Sequence, residues 1–228
     1  MAKIIDTDET ATPQAQPGNA AFELSSLSCE RGGRILFSSV NRQLQPGDLL
    51  RVQGANGAGK TSLLRMLCGL LEPTHGQVLW QGRAISALRE EFSRNLIYLG
   101  HAAALKDDLS PLENLQAACL LGGWRVSPTE ARRALDSAGL RGHQHTPVRR
   151  LSQGQRRRSA LARLALAPPP PCEARLWVLD EPFNALDSAA TAWLVGLIKT
   201  HLERAGMVVL TSHQGVSLDA APHQVLAL

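Results

Sequence analysis

The chain has 228 residues, with 24 Lys+Arg against 20 Asp+Glu, 44% hydrophobic residues and 4% aromatics. That length and balance suit one globular unit with a sizeable core and exclude wholesale disorder. The net charge of +4 is mildly basic, but the arginines are scattered, and Arg132-Arg133 and Arg156-Arg157-Arg158 read as solvated helix faces rather than a nucleic-acid surface.

Residues 1–20 are polar, contain proline and lack periodicity, which predicts a disordered leader without the apolar run of a secretory signal. The ordered unit then covers 21–228. Strand-like runs begin near Phe22, and Leu49 to Gln53 leads into a glycine-rich turn. From Lys60, the residues Leu63, Leu64, Leu67, Leu70 and Leu71 recur at helical spacing, predicting a helix closed by Pro73 to Gly76. Gln77 to Gln81 with Gly82 reads as a short strand and turn, and Leu96 to Leu99 as a buried strand. Between about 102 and 166 the pattern turns helical. Ser110-Pro111-Leu112-Glu113 and Ser127-Pro128-Thr129-Glu130 are capping boxes with proline at the first helical position. After the stiff Pro168–Pro171 loop, Leu176 to Leu179 and Met207 to Leu210 are continuous apolar runs, as in parallel strands buried on both faces. No apolar run reaches the roughly 18 residues that a membrane-spanning helix needs.

Gly54-Ala55-Asn56-Gly57-Ala58-Gly59-Lys60-Thr61 matches the P-loop pattern between a strand and a helix. Its glycines let backbone N–H groups cradle the phosphates of ATP at a helix N-terminus. Lys60 supplies a point charge, the Thr61 hydroxyl is a candidate Mg²⁺ ligand, and Ser62 extends the candidate cofactor-binding set. Leu176 to Leu179 then delivers Asp180 and Glu181 to a strand's carboxyl end, where ligands bind in open α/β sheets. Asp180 is placed to hold Mg²⁺, and Glu181 to orient or deprotonate the attacking water. Together these elements predict an α/β fold: a P-loop NTPase core with an antiparallel β lobe and a helical lobe at about 102–166. Leu151-Ser152-Gln153-Gly154-Gln155 opens another helix. Ser152 is a good N-cap, and with Gly154 and Gln155 it forms a candidate anion site.

The order of P-loop, Leu-Ser-x-Gly-Gln, Asp180-Glu181-Pro182, Asn184-Ala185-Leu186-Asp187 and Ser212-His213 resembles the nucleotide-binding domains of ATP-binding-cassette proteins, over residues 22 to 228. The resemblance implies an ATPase that closes as a homodimer around ATP and Mg²⁺, each site taking Ser152 and Gly154 from the opposite chain. It also implies that His213 contacts the γ-phosphate and acts in catalysis, and that Asp187 lies at the dimer seam. The strings Leu27 to Arg31, Leu36-Phe37-Ser38, Val78 to Gly82, Tyr98 to His101 and Asp180 to Phe183 look like the ATP-binding subunits of cytochrome c maturation systems, the haem exporters. That narrower resemblance implies integral-membrane partner subunits, a peripheral place at the cytoplasmic face of the inner membrane, and no nucleic-acid partner. The alternatives are a cassette ATPase acting on nucleic acid or ribosomes, which usually fuses two cassettes, and a small-molecule P-loop kinase, which leaves Leu151 to Gln155 without a role.

Three positions depart from the cassette pattern. His101 stands where glutamine is usual. Arg31 occupies the place of the aromatic that stacks on adenine, with Phe37 as the other candidate. Gln153 replaces a small residue and is expected to point away from the nucleotide. Elsewhere, His143 and His145 read as surface histidines, and Trp80, Trp124, Trp177 and Trp193 as core. Cys29, Cys68, Cys119 and Cys172 have no Cys-x-x-Cys spacing and read as free thiols.

Overall fold

The structure, a computed structural model, describes residues 21–166, 176–212 and 223–228. The 1–20 leader, the Pro168–Pro171 loop, Cys172 and His213 lie outside the described residues. The first half of the chain forms β1 (Phe22–Arg31), β2 (Arg34–Leu44), β3 (Leu49–Gln53), α1 (Lys60–Leu67), β4 (His75–Trp80), β5 (Arg83–Ala84), α2 (Arg89–Arg94) and β6 (Leu96–Leu99). The second half adds α3 (Pro111–Leu121), α4 (Pro128–Ser137), α5 (Gln153–Leu161), β7 (Leu176–Leu179), α6 (Ser188–Glu203), β8 (Met207–Thr211) and β9 (His223–Ala227).

A four-stranded antiparallel sheet runs β2-β1-β4-β5, and a five-stranded sheet runs β6-β7-β8-β3-β9. Every pairing in the second sheet is parallel. Its central strands divide their side chains by strict alternation. Leu49, Trp177, Leu179, Val208 and Leu210 pack with the helical lobe and α6. Leu50, Val52, Leu176, Val178, Met207 and Val209 pack with α1 and the antiparallel sheet. Both faces are thus covered, which is why β7 and β8 read as unbroken apolar runs. Strand β6 lies at the sheet edge, and there only Ile97 is fully buried, so the expectation of a buried strand holds for one of its faces.

The helix after the P-loop is shorter than its leucine spacing suggests. Gly69 adopts φ 69°, its N–H donates to the Met66 carbonyl, and the Leu70 N–H donates to the Arg65 carbonyl. That pair of bonds ends α1 in a left-handed glycine cap. Leu70 is therefore exposed, and His75-Gly76 belongs to β4 rather than to a helix terminator. The other helix starts follow their sequence signals. Ser110 and Ser127 each accept from the backbone of Glu113 and Glu130, whose carboxylates accept back from the serine N–H.

Trp80, Trp124 and Trp177 are buried and Trp193 packs on the core, as expected. Trp80 meets Phe22 and Phe92 edge-on, and Arg163 lies over the Trp124 ring. Cys29, Cys68 and Cys119 are free and buried. Arg132 and Arg133 are exposed, but Arg157 is not: only 6% of its surface is accessible, so the solvated-face reading fails there. It stands four residues before the buried Leu161 on α5, which turns it inward.

Candidate active site

Strand β3 lies inside the parallel sheet, between β8 and β9, and aims the P-loop at the sheet's carboxyl edge. Two glycines are required by the geometry. Gly54 has φ 154°, and a Cβ there would stand 2.8 Å from the Leu228 carbonyl oxygen. Gly59 has φ 99°, and a Cβ there would press on Leu36 and Phe37 at 3.1 Å. Gly59 also occupies the N-cap of α1 and brings no capping side chain, leaving the first-turn amides to an anion. The Lys60 ammonium donates to the carbonyls of Gly54 at 2.7 Å and Ala55 at 3.0 Å, holding the loop's ends together.

Across the sheet, Asp180 and Glu181 follow β7 and are both buried, at 2% and 7% exposure. Asp180 accepts through both carboxylate oxygens: from the Thr61 hydroxyl at 2.9 Å and from the Thr211 hydroxyl at 2.8 Å. Thr211 closes β8, and its oxygen also accepts the Glu181 N–H at 2.8 Å. One hydroxyl therefore orients the Asp180 carboxylate and the Glu181 backbone together. Glu181 has φ 48°, a left-handed conformation uncommon for a residue with a side chain.

A cavity of about 490 Å³ collects this chemistry. Asn56, Gly57, Gly59, Lys60, Thr61 and Ser62 line one side, and Asp180, Glu181, His101 and Asn184 the other. The Thr61 hydroxyl and Asp180 carboxylate offer hard oxygen donors beside the phosphate cradle, a set that fits Mg²⁺. Among the other described residues, no cluster of three or more His, Cys, Asp or Glu could hold a metal, His143 and His145 included.

Other predicted residues lie elsewhere. Arg31 is exposed at the end of β1, and Phe37 is buried in the core. Of the β2 residues it is Leu36 that lines the cavity. Ser152 and Gln155 form a capping box at the start of α5, in which the Ser152 oxygen accepts the Gln155 N–H at 3.2 Å. Gly154 allows α5 to approach the next loop, since a Cβ there would stand 2.8 Å from the Ala185 carbonyl. Ser152, Gly154 and Gln155 do not line the P-loop cavity. Gln153 lines a separate one of about 480 Å³, with His101, Asn184 and Ala185. Asp187 caps α6 by accepting the Ala190 N–H at 2.8 Å.

Two residues of the site were not singled out from sequence. Thr211 is one; a hydroxyl ending an apolar strand was the available signal. Arg157 is the other. Its guanidinium donates to the carbonyls of Asp180 at 2.7 Å, Glu181 at 2.8 Å and Gly100 at 2.9 Å, with a longer bond to His101 at 3.3 Å. Burial pulls its pKa down, and the nearby charges of Asp180 and Glu181 oppose that shift.

The family model described as ABC transporter matches residues 37–184. A protein of Dechloromonas aromatica named cytochrome c biogenesis ATP-binding export protein CcmA is 48% identical over 207 residues, covering 91% of this chain and 99% of its own. A putative ABC transporter ATP-binding protein of Pyrococcus furiosus superimposes with a TM-score of 0.75 at 25% identity, covering 90% of this chain and 96% of that one. The dimeric, post-hydrolysis structure of the ATP-binding cassette MJ0796 bound to ADP and Pi shares the fold, with a TM-score of 0.71 at 23% identity over 85% of this chain and 88% of that one. With the family model spanning both the P-loop and the acidic strand end, and a relative 48% identical over 91% of the chain, the chain belongs to the ABC transporter ATP-binding proteins and, within them, to the cytochrome c biogenesis ATP-binding export family.

Proposed function

We propose that the chain is the ATP-hydrolysing subunit of a membrane complex for cytochrome c biogenesis, powering haem export or the release of a haem-loaded carrier. The observation that carries the ATPase chemistry is the bonded array Thr61–Asp180–Thr211 with Glu181 beside it, of which Thr61, Asp180 and Glu181 line the P-loop cavity. The P-loop amides and Lys60 bind the phosphates, and Lys60 exchanges its loop carbonyls for them. Thr61 and Asp180 would hold Mg²⁺, which would supply charge neutralisation on the phosphate oxygens. Glu181 orients the attacking water and accepts its proton. His213 acts at the γ-phosphate, by the family resemblance. Because Ser152, Gly154 and Gln155 stand apart from their own chain's cavity, they serve a partner's nucleotide, and ATP closes a head-to-tail homodimer.

No described helix is long and apolar enough to cross a membrane. By the family resemblance, the haem role calls for integral-membrane subunits, with this chain peripheral at the cytoplasmic face of the inner membrane. The names of the relatives support that role over one on nucleic acid or ribosomes. The test is deletion of the gene, followed by measurement of haem bound to c-type cytochromes. A return of that haem with the wild-type gene and not with Glu181→Gln supports the reading; normal cytochrome levels in the deletion overturn it.

A further inference from the structure

We propose that Arg157 is a positioning residue for hydrolysis: its guanidinium sets the backbone pose of Glu181 and ties that pose to the His101 segment. The argument starts from which peptide units it grips. The carbonyl of Asp180 belongs to the peptide before the Glu181 Cα, and the carbonyl of Glu181 to the peptide after it. A single nitrogen, Nη2, donates to both, at 2.7 and 2.8 Å. Both rotations about the Glu181 Cα are thereby restrained. The first of those peptides is also held at its other end, where the Glu181 N–H donates to Thr211. The residue so clamped has φ 48°, a conformation that persists only where its surroundings over-determine it.

The second nitrogen, Nη1, reaches the carbonyls of Gly100 at 2.9 Å and His101 at 3.3 Å. His101 lines the P-loop cavity, the cavity beside Gln153 and a third groove along the helical lobe. One rigid, planar fork thus joins the turn that carries the base to a segment exposed on several surfaces, and it does so from the helix that Ser152 opens. Among the described residues Arg157 forms no ion pair with a carboxylate. A buried cation spent on backbone carbonyls, beside the buried carboxylates Asp180 and Glu181, costs more desolvation than an apolar residue of similar size would. Packing alone does not ask for it; geometry at Glu181 does.

The proposal rests on Glu181 as the hydrolytic base. The experiment compares Arg157→Gln, Arg157→Lys and Arg157→Ala in the full chain, reading kcat, ATP affinity and the thermal unfolding midpoint, with Glu181→Gln in parallel. Displacing a catalytic group by about 1 Å costs on the order of 10²-fold, so Arg157→Gln should lose about that factor in kcat while ATP affinity stays within about threefold. Lysine keeps the charge but cannot span both pairs of carbonyls, so Arg157→Lys should fall between the two. Millimolar guanidinium should restore part of the turnover of Arg157→Ala without raising ATP affinity. Equal falls in kcat and ATP affinity that follow the folded fraction, or wild-type kcat in Arg157→Gln, overturn the proposal. If the neutral variants do not fold, Arg157→Lys decides: wild-type kcat there overturns it, and a lowered kcat with normal ATP affinity supports it. Full turnover by Glu181→Gln removes the base reading and this one together, whereas its loss beside an unaffected Arg157→Gln removes this one alone.

Discussion

Thr61 and Asp180 stand 119 positions apart in the chain, yet their side chains meet at 2.9 Å. The bond joins the first turn of α1 to the end of β7 and locks the phosphate cradle to the acidic turn. Since neither partner is part of a local motif with the other, the candidate site forms only in the completed sheet.

Separating the roles of Glu181 and Lys60 is the most direct check of the chemistry. Glu181→Gln should bind ATP with near-normal affinity and hydrolyse it roughly 10²–10⁴-fold more slowly, accumulating as the closed dimer. Lys60→Ala should instead lose nucleotide affinity. Equilibrium binding of a fluorescent ATP analogue beside phosphate release distinguishes the two.

Thr211 offers a stability test. Thr211→Val keeps the shape but leaves the Glu181 N–H and one Asp180 oxygen without their hydroxyl partner in a buried setting. Loss of a buried partner costs roughly 1–3 kcal/mol, so the urea midpoint should fall, and turnover should fall with it. An unchanged midpoint would show that solvent reaches the turn.

Composite sites make a prediction about mixtures. Ser152→Arg should leave the monomer folded and able to bind ATP while blocking closure. Mixed with Lys60→Ala, it forms heterodimers in which one composite site carries both substitutions and the other neither. Light scattering with ATP should show reduced dimer for Ser152→Arg alone, and the mixture should regain part of the activity. Full activity from isolated monomers would contradict a trans arrangement.

Acid should weaken the helical lobe through its two capping boxes. Hydrogen bonds from Ser110 and Ser127 hold the carboxyls of Glu113 and Glu130 below the usual range. A depressed folded-state value means the contribution is complete above the ordinary carboxylate value of about 4.3 and is lost as pH falls through the lowered one. Below about pH 4 the wild-type chain should therefore lose stability more steeply than a Glu113→Gln, Glu130→Gln double variant, as read by helical circular dichroism during urea titration.

Much of the geometry of this candidate site is legible in the sequence. The P-loop announces itself because glycine alone fits positions such as Gly59, and a lysine and a hydroxyl must follow at fixed distance. Asp180 and Glu181 are visible because a four-residue apolar strand must end at the sheet's carboxyl edge. Periodicity misled at Leu70, which keeps the helical spacing although Gly69 has already ended α1. It misled again at Arg157, where a run of three arginines averages to a solvated face and one member turns inward to backbone carbonyls. Carbonyl partners leave no trace in side-chain identity, and so no pattern of residue types could have pointed to that clamp.

The place of β3 in the sheet has a consequence for synthesis on the ribosome. Its neighbours are β8 and β9, contributed by residues 207–227. As the chain emerges from its amino end, the strand that carries the P-loop waits for partners made more than a hundred and fifty positions later. Such distant pairing is slow to form and leaves an apolar strand edge open in the meantime. Nascent chains halted before residue 207 should be held by chaperones and should not be retained on immobilised ATP, whereas full-length chains should be.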